Sequence, residues 1–328
     1  MAQLTIHTAA VRRNYRFYAE NGLVIPVLKD NAYGMGADAI LEVLKEEGAS
    51  LFACSKPEEA LALAGKGADI LLLTCIHEEA LLQKLAENQV ILAAESLPQA
   101  QFLNDLGIPV RVHLAVDTGF GRFGFTKDQA EDMKQVFSLE NIHVEGIFSH
   151  FRSQASAAEQ FAVFQQVLRS LEGFPVGIRH IAATGNANIP EYRLDAVRIG
   201  TGLTGVVGRL EPAVKFTAAV CTVRHLPKGS RIGYTSTKLK RDTDVAIIDA
   251  GTADGAFVYR SCGPRTWLQL RKRSVDLGGC AARVIGTPGL THTAVDVTGI
   301  PCKPGDRVTV AQTPVLISPA VPREYLSE

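Results

Sequence analysis

Short, continuous apolar runs recur through the first two thirds of the chain, most of them followed by an amphipathic stretch. The runs are LVIPVL before Lys29, SLFACS ending at Ser55, DILLLT ending at Thr74 and VILAAE from Val90. They continue with VRVHLAV from Val110, VEGIFSH ending at His150, IRHIAA from Ile178 and DAVRIG from Asp195. Residues 37–47, 58–64, 80–87 and 158–172 between them have the spacing of amphipathic helices. Unbroken apolar runs bounded in this way predict strands buried on both faces, as in a parallel sheet. About eight such units over roughly two hundred residues predict an α/β fold, an N-terminal (β/α)8 TIM-type barrel. An open doubly wound sheet is the alternative.

After about Gly208 the rhythm shortens. VAIIDAG, RVIGT, AVDVTG and RVTVAQ are β-branched segments separated by turns such as Pro227-Lys228-Gly229 and Lys303-Pro304-Gly305-Asp306. This spacing predicts a smaller C-terminal β-domain. The expected division is therefore 1–208 and 209–328, with the junction between Gly205 and Leu210.

A barrel of this kind carries its chemistry at the C-terminal ends of its strands, and the unusual polar residues fall there. Lys29 follows the first strand. Asp117-Thr118-Gly119 and Arg122 follow the fifth. His150 ends the sixth, Thr184 follows the seventh, and Arg198 with Gly200 ends the eighth. Taken singly, such a lysine is usually a solvated loop residue and such a histidine a structural one. Their coincidence on one rim makes them candidates.

Charge and cysteine usage narrow the class. Thirty-four basic residues balance thirty-four acidic ones, which gives no footing for a nucleic-acid partner. No apolar run approaches the length of a membrane span. The N-terminal segment MAQLTIHTAAVRRNYRF lacks a basic region followed by an apolar core, so no signal peptide is expected. The cysteines, 54, 75, 221, 262, 280 and 302, form no CxxC pair, so neither a metal site nor a disulfide framework is expected. Reduced thiols in a cytoplasm are the simpler reading.

The segment VLKDNAYGMG resembles the pyridoxal phosphate (PLP) lysine signature of the alanine racemase family, the fold-type III PLP-dependent amino-acid racemases. VDTGFGRFGF, Ser149–Phe151, HIAATGNANIP and VRIGTGLTG are similar to further family blocks in the family's order. IGYTST, AGTADG, VDVTG and the closing PREY are looser matches. The resemblance implies a PLP-dependent racemase interconverting the L- and D-forms of a small amino acid, alanine or serine first. Lys29 would carry the cofactor and act as a base at the substrate Cα. A desolvated pocket lowers a lysine's pKa and makes that role accessible. Arg198 would face the pyridine nitrogen, and His150 would lie against the ring. Tyr33, Thr184, Gly200, Thr201 and Tyr325 would surround the phosphate. Arg122 would lie near the cofactor phenolate and the substrate carboxylate. The resemblance also implies a homodimer in which one chain's β-domain covers the partner's barrel mouth.

The pattern departs from the family at several positions, one of them chemically central. Racemisation through two bases needs an acid/base on each face of Cα, and the family supplies the second from a tyrosine in a Gly-Tyr-Ala-Asp-Gly block. Here the block reads Gly251-Thr252-Ala253-Asp254-Gly255. The lysine often found in the fifth-strand block is Ala115, and the family's Met-Asp-Gln segment is Leu290-Thr291-His292. Three readings stay open. His292 replaces the tyrosine, since an unperturbed imidazole titrates at about 6.5. Alternatively, Lys29 acts alone and the enzyme is a decarboxylase or lyase. In the third, the protein binds PLP without turnover.

Overall fold

The structure, a computed structural model, describes residues 1–205, 210–258 and 273–328. The chain divides into two compact units: Met1–Ala9 with Pro212–Glu328, and Ala10–Glu211. The junction expected from the sequence at 208/209, and Cys262, lie outside the described residues.

Strand β1 (Gln3–His7) belongs to the first unit and leads into helix α1 (Thr8–Ala19). The second unit holds eight parallel strands: β2 (Leu23–Pro26), β3 (Leu51–Cys54), β4 (Asp69–Leu72), β5 (Leu92–Ala94), β6 (Val110–Ala115), β7 (Ile142–Phe148), β8 (Ile178–Ala183) and β9 (Ala196–Ile199). Each coincides with one of the apolar runs. Ladders join β5 through β9 and β9 to β2, and a second ladder joins β3 to β4. Bridges Val27↔Ala53 and Leu71↔Ile91 complete the ring. The sheet is therefore closed, and the open doubly wound alternative falls.

The helices between the strands are α2 (Ala37–Lys45), α3 (Pro57–Leu63), α4 (Glu79–Glu87), α5 (Leu97–Asp105), α6 (Ala130–Val136), α7 (Ala157–Ser170) and the short α8 (Pro190–Arg193). Their apolar stripes, such as Ile40, Leu41 and Leu44 on α2, are buried. This covers the outer face of the strands and explains why β3, β5 and β9 are buried at every position.

The barrel interior is filled unevenly. Along β2 to β5 it is aliphatic, with Ile25, Val27, Leu51, Ala53, Leu71 and Ile91 in one cluster together with Ala196. Ala93, Ala115 and Phe148 form a second cluster. Strands β6, β8 and β9 instead bury His113, His180 and Arg198. Gly146 on β7 makes room for this, because a Cβ there would lie 2.5 Å from the His113 ring.

In the other unit the long strand β10 (Val214–Leu226) organises an antiparallel barrel with β11 (Arg231–Ile232) and β12 (Thr237–Lys238) as an appended hairpin. The remaining strands are β13 (Thr243–Ile248), β14 (Ser274–Leu277), β15 (Cys280–Val284), β16 (Thr293–Asp296), β17 (Arg307–Thr309) and β18 (Arg323–Leu326). The ring runs β10-β13-β16-β15-β14-β17 and back to β10, and β1 and β18 extend it from β10. A register shift between Val220 and Thr222 lets β10 bend from one set of neighbours to the other. Alternating burial along β14 and β16 marks one face inward.

Candidate active site

The C-terminal ends of the barrel strands surround a cavity of about 290 Å³. Lys29, Tyr33, Arg122, His150, Thr184, Arg198, Gly200 and Thr201 all line it. Loops separated by up to 172 residues of chain thus bring these eight nominated residues to one place, whereas Asp117, Thr118 and Gly119 are not part of the lining. Ser55 and Thr74 also line it and were not nominated. Both end apolar runs, so the strand-end rule that singled out Lys29 reaches them too.

Lys29 is half-buried and opens a turn of unusual hand. Asp30, Asn31, Ala32 and Tyr33 all have φ between 52° and 56°. Left-handed backbone costs an L-residue about 1–2 kcal/mol, so four in succession must be held from outside. The Asn31 N–H donates to Glu59 Oε1 at 3.1 Å, Asn31 Oδ1 accepts the Ala37 N–H at 2.7 Å, and Lys56 pairs with Asp30 at 3.1 Å. The turn brings the Tyr33 ring to 5.8 Å from Lys29 Nζ. It also sets the Tyr33 hydroxyl against Gly200, where a Cβ would lie 2.3 Å from that oxygen.

Arg198 is 4% exposed and held from several sides. Its Nη2 donates to the carbonyl of Ser149 at 2.6 Å and lies 3.2 Å from His150 Nδ1. Its Nη1 lies 2.5 Å from His180 Nδ1. Burial, and then the like charge of Arg122, push the Arg198 pKa down to about 9, which leaves it charged at neutral pH. Burial and the charges of Arg198, Arg122 and Lys29 push His150 down to about 3, so its ring is neutral. The buried Gln160 side chain fixes the loop behind His150, donating to the His150 carbonyl at 3.1 Å and accepting the Arg152 N–H at 2.8 Å.

The lining has a single electrostatic sense. Among the described residues it contains Lys29, Arg122 and Arg198 but no aspartate or glutamate. The amides of Gly200 and Gly202 point at Thr184 Oγ1 at 3.4 and 3.3 Å, beside the hydroxyls of Thr201 and Tyr33. Donors and cations without a carboxylate complement an anionic ligand, and the glycines let it approach the backbone. PLP, with its phosphate and phenolate oxygens, fits this donor set. Lys29 is the amine able to hold it covalently. No group of three or more His, Cys, Asp or Glu side chains suited to a metal occurs among the described residues.

The other two nominated residues lie in the β-unit. Tyr325 is on β18, 40% exposed and opposite Ile6 of β1. His292 precedes β16, with Nδ1 2.9 Å from the Thr291 hydroxyl. Thr252, where the family has its tyrosine, is in the adjacent loop. The two loops are laced together: the Thr252 N–H donates to the Gly289 carbonyl and the Ala253 N–H to the Leu290 carbonyl, both at 2.9 Å. Gly251 permits this contact, since a Cβ there would lie 2.1 Å from the Leu290 oxygen.

Comparison with known proteins gives a consistent picture. The family model described as "Alanine racemase, N-terminal domain" matches residues 6–207, and "Alanine racemase, C-terminal domain" matches residues 213–319. An alanine racemase of Methanococcus maripaludis is 33% identical, with 88% of this chain and 81% of that protein covered. One of Desulfovibrio desulfuricans is 31% identical, over 95% and 89%. Among solved structures, the alanine racemase of Bartonella henselae with covalently bound pyridoxal phosphate superposes with a TM-score of 0.86 at 26% identity, covering 99% of each chain.

Proposed function

We propose a mechanism from the premise that this chain belongs to the alanine racemase family. It is a PLP-dependent amino-acid racemase. The observation that carries the reading is the cavity in which Lys29 stands among cations and hydroxyls with no carboxylate among the described lining residues. PLP, when bound, supplies the electron sink that acidifies the substrate Cα–H bond.

The chain's own residues bind, orient and move protons. Thr184, Thr201, Tyr33 and the Gly200 amide hold the phosphate. Arg198 would face the pyridine nitrogen of bound PLP and, being unable to accept, would favour that atom unprotonated. That would weaken the sink and disfavour transamination. His150 would lie against the cofactor ring, and its neutral imidazole takes up no proton from the site. Arg122 takes the substrate carboxylate. Lys29 Nζ removes or returns the Cα proton on one face.

His292 serves the opposite face, in a homodimer whose β-unit closes the partner's barrel. Its support is the lacing of its loop to the loop that carries Thr252 in place of the family tyrosine. Tyr325 is a further candidate phosphate ligand, on its resemblance to the family's closing segment. The substrate is alanine or serine, in keeping with a small cavity and with relatives named alanine racemase. The enzyme is cytoplasmic. Reduced thiols at Cys54, Cys75, Cys221, Cys280 and Cys302 suit that compartment, and among the described residues no helix is long and apolar enough to cross a membrane.

The experiment is isotope exchange in deuterated water with purified holoenzyme and an amino-acid panel. Deuterium at Cα of both enantiomers supports racemisation. Release of carbon dioxide or ammonia instead would establish a lyase. A visible absorption band lost in Lys29→Ala identifies the cofactor lysine, and a band retained there refutes it.

A further inference from the structure

Arg122 lies against two rings from its own loop. Its guanidinium carbon is 4.6 Å from the Phe120 centroid and 4.6 Å from the Phe123 centroid. Both near neighbours reach the guanidinium because the loop closes tightly on its strand. Asp117 Oδ1 accepts the N–H groups of Gly119 and Gly121 at 2.9 and 3.0 Å. The Phe125 N–H returns to the Ala115 carbonyl at 2.8 Å. Gly124, at φ 118°, allows that return, since a Cβ there would lie 2.7 Å from the Asp117 nitrogen.

Each ring is anchored away from the arginine. Phe123 packs on the cluster of Ala93, Ala115 and Phe148. The Phe120 ring lies 5.6 Å from the ring of His150. Two other arginines of this unit are held by carboxylates: Arg111 by Asp69 and Glu145, and Arg179 by Asp195. Among the described residues no carboxylate pairs with Arg122.

The difference has a chemical consequence. A carboxylate partner occupies the N–H edge of a guanidinium, whereas a ring occupies its face and leaves the edge open. We infer that Phe120 and Phe123 are positioning residues that clamp Arg122 through their ring faces, leaving its N–H groups without a carboxylate partner and available to the substrate carboxylate. This rests on the reading of Arg122 as the carboxylate site. Binding of the anion is then prepared by the loop itself, because no ion pair has to be broken first.

The test uses holoenzyme and two readouts: KM against kcat for the amino-acid substrate, and calorimetric binding of propionate, a carboxylate without an amine. Phe120→Leu with Phe123→Leu is expected to raise KM and the propionate dissociation constant about tenfold, with kcat changed less. The corresponding tyrosine replacements keep a ring face and hold both constants within about threefold. Arg122→Met abolishes propionate binding. Phe120→Leu alone, in a half-exposed position, carries the test where the double variant fails to fold. If the leucine variants bind propionate like the parent while Arg122→Met does not, the clamp is rejected and Arg122 retained. If Arg122→Met leaves propionate binding and KM unchanged, the carboxylate site is rejected and the clamp with it.

Discussion

Nη1 of Arg198 lies 2.5 Å from Nδ1 of His180 in the barrel interior, and the contact sets the protonation of two histidines. A guanidinium can only donate, so Nδ1 of His180 accepts and its proton sits on Nε2. That atom faces Nδ1 of His113 at 2.9 Å, which places the second proton on His113 Nε2. His113 Nε2 is buried without a partner. Two neutral imidazoles thus back the cation at the cavity wall.

His180→Leu removes a side-chain acceptor from a buried cation. A loss of about 1.5–3 kcal/mol is expected, read by urea denaturation, together with weaker PLP binding. His180→Gln keeps an acceptor oxygen and is expected to lose less. Equal losses in the two variants would show that only packing matters at this position.

Acid should destabilise the fold through the same histidines. Burial pushes His113 down to about 3 and His180 well below its usual value. Folded-state pKa values are depressed, so below the unfolded value of about 6.5 the unfolded chain binds protons that the native chain refuses. Stability is therefore fully present above that pH and falls as pH drops from about 6.5 toward 3, at up to about 1.4 kcal/mol per pH unit for each histidine. The melting temperature of His113→Asn should depend less on pH across this window than that of the parent.

Gly200→Ala places a methyl group 2.3 Å from where the Tyr33 hydroxyl lies. Tyr33 sits on a left-handed turn held from several sides and has little freedom to retreat. PLP affinity should fall at least tenfold, a loss of about 1.4 kcal/mol, as measured by absorbance titration. The apo fold should lose about 1–3 kcal/mol from overpacking.

Gly251→Ala tests the β-unit without touching the barrel lining. Its Cβ would meet the backbone oxygen of Leu290 at 2.1 Å, so the loops bearing Thr252 and His292 must part. The PLP absorption band should persist while turnover falls by about tenfold or more. Unchanged turnover would remove His292 and its loop from the mechanism.

Much of the barrel was legible because strands buried on both faces must be apolar at every position, a local signal. Eight runs such as SLFACS and DAVRIG could be counted directly, and each polar residue at a run's end could be placed on one rim. Strand β1 was not legible as part of the β-unit. Its partners, Phe216 and Arg323, are far away in the chain. The left-handed turn after Lys29 was also hidden, since Asp and Asn tolerate that conformation but Ala and Tyr give no sign of it.

The sequence by itself determined the strand rhythm, the change to short β-branched segments and the place of Lys29 in a segment that resembles the PLP-lysine signature, because periodicity and motif are properties of neighbouring residues. Only the tertiary structure decided that His113, His180 and Arg198 share one buried chain, and that Phe120 and Phe123 both lie 4.6 Å from the Arg122 guanidinium carbon. Those relationships depend on the register between parallel strands and on where a glycine lets a loop close, and both are set by contacts between segments distant in the chain.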